Sequence, residues 1–139
     1  MKNIFLVSVV FSIKLLAGNV WFTDVDKSIK IAKVHHVPIL VFIYKDGCIY
    51  CEKSISGFKY PPLKDTLTNK TILPLAINAS NFKTLRHLNL STSMYPSYFI
   101  LSENGLKITS PVRGYVEAKD LNDYILRVIN KYRKASKED

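Results

Sequence analysis

The run Pro38-Ile39-Leu40-Val41-Phe42-Ile43-Tyr44 is short, apolar and rich in β-branched residues, and it leads through the bend Lys45-Asp46-Gly47 into Cys48-Ile49-Tyr50-Cys51. A run of this kind reads as a strand covered on both faces. Ending it in a glycine turn and opening a helix with Cys-x-x-Cys places both thiols at the end of a sheet, on the first turn of a helix. These are the only two cysteines in 139 residues. A Cys-x-x-Cys pair in that position is where a redox dithiol is built.

The chemistry needs this spacing. Residues three apart on a first helical turn share a face and lie close enough to form a disulfide. The first of them also sits over the unpaired N–H groups of the helix N-terminus, which stabilise a thiolate. Cys48 is therefore the expected nucleophile and Cys51 the resolving thiol that attacks the mixed disulfide. A structural zinc site normally needs four ligands, and no second cysteine pair exists to supply them. No metal site and no cofactor are expected. A purely structural staple is disfavoured too, because so short a loop removes little chain entropy.

With 47% hydrophobic and 22% charged residues the chain is globular, and its length suits one domain. The net charge of +9 raises the question of nucleic acid. The basic residues are spread along the chain apart from Lys131, Arg133, Lys134 and Lys137, with no aromatic-interleaved basic motif, so a solvated basic surface is expected and no nucleic-acid partner.

Residues 1–18 have the form of an export signal, and residues 19–139 form the expected domain. Lys2 precedes an apolar run over residues 4–13, and Leu15-Leu16-Ala17-Gly18 ends in small residues. Lys14 falls late, and no small residue stands three positions before either cut. An uncleaved anchor is therefore the alternative, although the run is short for a spanning helix. The expected location is the periplasm or another exported compartment.

Asp24 reads as the cap of a first helix carrying Val25, Ile29 and Ala32 and ending near His35-His36. The Cys-x-x-Cys helix runs to Gly57, and Tyr60-Pro61-Pro62 breaks the path before a short helical piece at residues 63–67. Residues 72–77 read as a strand in which Pro74 calls for an edge position or a bulge. Ser80 is expected to cap a helix carrying Phe82, Leu85 and Leu88. Residues 97–102 and 106–109 read as a hairpin around Glu103-Asn104-Gly105. A last helix carries Leu121, Tyr124, Ile125, Val128, Ile129 and Tyr132, and residues 134–139 read as a fraying tail.

This order resembles the thioredoxin fold, an α/β architecture with a central mixed sheet of about four strands flanked by helices. The likeness covers roughly residues 21–132. It is carried by Val41-Phe42-Ile43-Tyr44 running into Cys48-Ile49-Tyr50-Cys51, by Met94-Tyr95-Pro96-Ser97 ahead of a strand, and by Gly114 before the last helix. Arg86-His87-Leu88-Asn89-Leu90 also resembles the periplasmic thioredoxin-like domains of transmembrane disulfide reductases and the SoxW-type thioredoxins. The resemblance implies that Pro96 is the family's cis-proline beside the cysteine pair and that the Tyr95 backbone meets an extended substrate segment. Tyr44, Gly47, Ile49 and Tyr50 are then the surroundings of the site.

Two departures matter. Gly47, Ile49 and Tyr50 replace the Trp and the Gly-Pro of the familiar Trp-Cys-Gly-Pro-Cys, and Phe42 stands where relatives carry a buried Asp. No general base for Cys51 is thereby identified, with Lys45, Asp46 and Glu52 as nearby candidates. Neither residue between the cysteines is the His of strongly oxidising relatives. The expected activity is thiol–disulfide exchange, as a reductase or isomerase of cysteine pairs in exported proteins rather than an oxidase, with electrons from a membrane-bound disulfide reductase. The alternative from another class is a binding module that holds clients or Cu(I) without turnover.

Overall fold

A computed structural model describes residues 20–138; the expected export segment, residues 1–18, lies outside them. The helices are α1 (Val25–His35), α2 (Ile49–Gly57), α3 (Leu63–Thr68), α4 (Phe82–His87) and α5 (Ala118–Glu138). The strands are β1 (Ile39–Tyr44), β2 (Leu73–Asn78), β3 (Ser97–Leu101) and β4 (Val112–Arg113). They form one mixed sheet in the order β2-β1-β3-β4, with β1 parallel to β2 and antiparallel to β3.

The apolar run becomes β1, the inner strand, because alternate residues feed two separate cores. Leu40 and Phe42 join Cys51, Phe58, Tyr98, Ile100 and the α5 stripe on one face. Ile39, Val41 and Ile43 join Leu75, Ile77, Phe99 and Leu101 on the other, under α1 and α4. Pro74 lies on the outer named strand, and Phe22 bridges to that strand's free side, donating to the Pro74 carbonyl at 2.8 Å. The missing N–H of Pro74 therefore costs no ladder bond.

Asp24 caps α1 by accepting from the Lys27 N–H at 3.1 Å, and the helix ends at His36 in the left-handed region, φ 54°. Helix α2 meets the start of α5 closely. A Cβ at Gly57 would lie 3.3 Å from the Ala118 Cβ.

Three expectations are corrected. Asn81, not Ser80, caps α4, accepting from the Thr84 N–H, while the Ser80 N–H donates to the Asn78 side chain two residues earlier. Phe82 is accordingly exposed at 70%, and only Leu85 and Leu88 of the expected stripe are buried. The second arm of the hairpin is not a strand at residues 106–109. The turn at Gly105 forms, but Lys107 makes a single bridge to Leu101, and pairing resumes at Val112–Arg113 opposite Tyr98 and Ser97. The return arm is two residues longer than its partner there, and Pro111, which has no N–H, lies in the excess. Leu106 and Ile108 consequently face solvent. Finally, residues 134–138 continue α5 rather than fray, with the Ser136 hydroxyl donating back to the Tyr132 carbonyl at 3.0 Å.

Candidate active site

The backbone turns after β1 through a bond from the Cys48 N–H to the Lys45 carbonyl, 3.3 Å. Gly47 stands in that turn at φ 76°, and a Cβ there would meet nothing, so backbone conformation rather than space calls for glycine. Cys48 is the cap of α2. Its Sγ accepts from the Cys51 N–H at 3.1 Å, and the two sulfurs are joined as a disulfide. The partners are unequal, since Cys48 is half-buried and Cys51 is 2% exposed, closed in by the Phe42 face of the core. Only one sulfur is open to attack from outside.

A second loop completes the site. The Tyr95 carbonyl oxygen lies 3.7 Å from Cys48 Sγ, and the Tyr95–Pro96 peptide is cis. Side chains of the motif and Thr92, just before it, hold this loop. The buried Ser97 hydroxyl donates to the Met94 carbonyl at 2.6 Å and meets the Thr92 hydroxyl at 2.8 Å, and the Tyr95 hydroxyl donates to the Thr92 carbonyl at 3.1 Å. The Gly114 N–H donates to the Pro96 carbonyl at 2.7 Å, tying the loop to the end of β4.

Tyr44 ends β1 with its ring stacked on Phe42, 5.7 Å between centroids. Ile49 and Tyr50 are both well exposed, and the Tyr50 ring lies 5.8 Å from that of Tyr115. The three candidate bases are all exposed. Lys45 places its ammonium over the Tyr95 ring at 5.8 Å, Asp46 accepts from the Asn78 amide at 3.2 Å, and Glu52 faces solvent.

Where relatives carry a buried acid, Phe42 anchors an aromatic cluster instead. Its ring centroid is 5.5 Å from Trp21, 5.1 Å from Phe58 and 5.4 Å from Tyr98. The Tyr98 hydroxyl is buried without a hydrogen-bond partner. Burial pushes its pKa well above the ordinary tyrosine value. The neighbouring Ser54 hydroxyl pulls the other way but falls short of hydrogen-bond geometry and gives its own proton to the Tyr50 carbonyl. Tyr98 thus stays neutral and supplies no base.

Tyr115, Lys53 and Thr92 carry no signal in the sequence, and Ser97 is marked there only as the residue after Pro96. Only Gly114 pointed to that neighbourhood, and nothing local marked the residue after it. A cavity of about 300 Å³ lined by Phe22, Ile31, Val37 and Leu73 sits at the other end of β1 and β2 and contains neither cysteine. Among the described residues no group of three or more His, Cys, Asp or Glu side chains could hold a metal, and no helix is long and apolar enough to cross a membrane.

A capped, one-sidedly exposed Cys-x-x-Cys disulfide at the end of a mixed sheet defines a thiol–disulfide oxidoreductase. The model of the thioredoxin-like domain matches residues 25–129, and the chain belongs to that family. No curated relative matches it by sequence. Among solved structures it is similar to a wild-type poplar thioredoxin h, with a TM-score of 0.60 and 14% identity over 75% of this chain and 86% of that one. It is similar to the C-terminal domain of Neisseria meningitidis DsbD in its oxidised form, with a TM-score of 0.59 and 18% identity over 77% and 97% of the two chains. A third likeness is to a structure of a ferredoxin:thioredoxin reductase and thioredoxin f2 complex, with a TM-score of 0.57 and 18% identity over 76% and 91%. At these identities the likenesses speak for the fold.

Proposed function

We propose that the protein works outside the reducing cytosol as a reductase of disulfides in exported proteins, recharged by a membrane-bound disulfide reductase. The observation that carries the exchange reaction is the inequality of the two sulfurs, Cys48 open at the cap of α2 and Cys51 closed off behind it. In the reduced protein the Cys48 thiolate attacks one sulfur of a client disulfide. The client S–S bond breaks, and the released sulfur leaves as a thiolate that takes up a proton. The Cys51 thiolate then attacks Cys48 Sγ, the mixed disulfide breaks, and the second client sulfur leaves in the same way. Two electrons and two protons pass to the client, and the Cys48–Cys51 disulfide is left for the donor to reduce.

The Tyr95 carbonyl beside Cys48 Sγ is placed to accept from the backbone of an extended client segment, so that the reacting sulfur is delivered along a strand-like path. Pro96 sets the direction in which that carbonyl points. Export is supported by the charge and apolar pattern of residues 1–18. The reducing direction is supported by the absence of a histidine between the cysteines, and the donor by the resemblance of Arg86-His87-Leu88-Asn89-Leu90 to the periplasmic thioredoxin-like domains of transmembrane disulfide reductases.

The test is insulin reduction with a supplied dithiol, alongside the reduction potential of the purified pair. Accelerated precipitation of the insulin B chain and a potential near the thioredoxin range, about −270 mV, are expected. A potential near −120 mV would overturn the reducing direction. Recovery of the native protein with Met1 intact in the membrane fraction would replace the cleaved signal with an anchor.

A further inference from the structure

Before and after Cys48 in the chain, a lysine is held over an aromatic ring. In the turn before Cys48, the Lys45 ammonium lies 5.8 Å from the centre of the Tyr95 ring. On α2, one turn after Tyr50, the Lys53 ammonium lies 4.6 Å from the centre of the Tyr115 ring, which Tyr50 itself approaches. The second platform is fixed from below. Tyr115 follows Gly114, whose N–H is bonded to the Pro96 carbonyl and whose φ is 92°.

A lysine poised on a ring loses little chain freedom when it meets an anion, and the ring leaves its outward N–H groups free. The only ion pair among the described residues joins His36 to Glu103, so neither lysine has a carboxylate within 4.0 Å. Two acids stand nearby. Asp46 is engaged by the Asn78 amide, and Glu52 lies next to Lys53 on the exposed side of α2.

From these positions we infer that the site selects clients by charge: Lys45 and Lys53 favour a cysteine-bearing segment with Asp or Glu close to its reacting sulfur and disfavour one flanked by Lys or Arg. The inference rests on the disulfide-exchange reading and adds to it the substrate class. Charges at the rim of a contact act mainly on the rate of encounter and give that rate its salt dependence.

The test uses three disulfide-containing peptides of one sequence, in which the residues beside the cysteines are Asp, Asn or Lys. The second-order rate of their reduction by the reduced full-length protein is divided by its rate with the neutral hydroxyethyl disulfide. Rates are expected to fall from Asp to Asn to Lys, spanning about five- to tenfold overall. The span should shrink toward unity near ~0.5 M salt. The double variant Lys45→Glu/Lys53→Glu should reverse the order, while Lys134→Glu, remote in sequence and exposed at the end of α5, should leave it unchanged. Equal rates for the three peptides, or an unreversed order in the double variant, overturn the charge selection and leave the exchange activity standing. A wild-type protein that reduces neither the peptides nor hydroxyethyl disulfide overturns both.

Discussion

The two faces of β1 carry different kinds of core. One is mostly aliphatic, with Ile39, Val41 and Ile43 against Leu73, Leu75, Ile77, Leu101 and one buried ring, Phe99. The other is aromatic around Phe42, with Trp21, Phe58 and Tyr98, and it closes over Cys51. The aliphatic face touches no sulfur and supplies burial. The aromatic face also supplies burial, but its rings form the inner wall of the redox site, so a change there alters both stability and the shelter of one thiol. One strand thus separates what holds the fold from what shapes the chemistry.

The largest effect tests the site against both faces at once. Cys48→Ser keeps a side chain suited to capping α2, so thermal unfolding should change little. Insulin-reductase activity should fall by at least about a thousandfold, because the attacking sulfur is gone. Next, Leu75→Ala removes a fully buried side chain from the aliphatic face. Denaturant titration should show a loss of about 2–5 kcal/mol, while turnover per folded molecule stays at the wild-type level.

Phe42→Leu is the sharper probe. It should cost less, about 1–2 kcal/mol, yet it should raise the rate at which iodoacetamide alkylates Cys51 in the reduced protein. Leu75→Ala should leave that rate alone, and equal changes in both variants would erase the distinction between the faces. In the wild-type protein Cys48 should alkylate well ahead of Cys51.

Tyr98→Phe is expected to have the smallest effect. It removes a buried hydroxyl that has no partner, so stability near neutral pH should stay within about 1 kcal/mol of wild type. The sign of the alkaline effect follows from burial. The folded protein holds the Tyr98 proton above the ordinary tyrosine pKa of about 10, where the unfolded chain releases it, so this residue's contribution is lost as pH rises past that value. Urea titrations should therefore show a shallower decline in Tyr98→Phe from about pH 10 upward. Tyr124 and Tyr132, also raised by burial, keep part of the decline in both proteins.

The fold was legible where one local signal and one packing demand agreed. The run ending in Tyr44, the Asp24 cap, the Cys-x-x-Cys turn and the α5 stripe each satisfied propensity and burial together. The edge position of Pro74 followed from a missing N–H alone. The reading failed where a local motif was sound but its continuation depended on distant partners. Asn104-Gly105 does make the turn, yet nothing in residues 106–109 says that their arm lacks neighbours to cover it. Ser80 and Asn81 are equally good caps in sequence, and the helix starts at Phe82, which leaves Asn81 as the residue whose side chain accepts from the Thr84 N–H. At the site, Cys48, Cys51, Tyr95 and Pro96 could be named in advance because spacing and resemblance pointed to them. Tyr115 and Lys53 could not, since their contact joins residues 62 positions apart in the chain.

The contact at Gly57 bears on what moves when the disulfide opens. The far end of α2 lies close against α5, so that a methyl group on Gly57 would stand 3.3 Å from the Ala118 Cβ, tighter than ordinary contact, whereas the near end carries the sulfurs and follows the turn around Gly47. The helix is therefore packed tightly at its far end, while at its near end Cys51 is anchored in the core and Cys48, Ile49 and Tyr50 reach toward solvent. Any rearrangement that accompanies the gain of two electrons is expected in the first turn, at Cys48, Ile49 and Tyr50, rather than at the Gly57 end. On that expectation the redox state is displayed on the exposed surface around Ile49 and Tyr50, and the Gly57 end of the helix changes least.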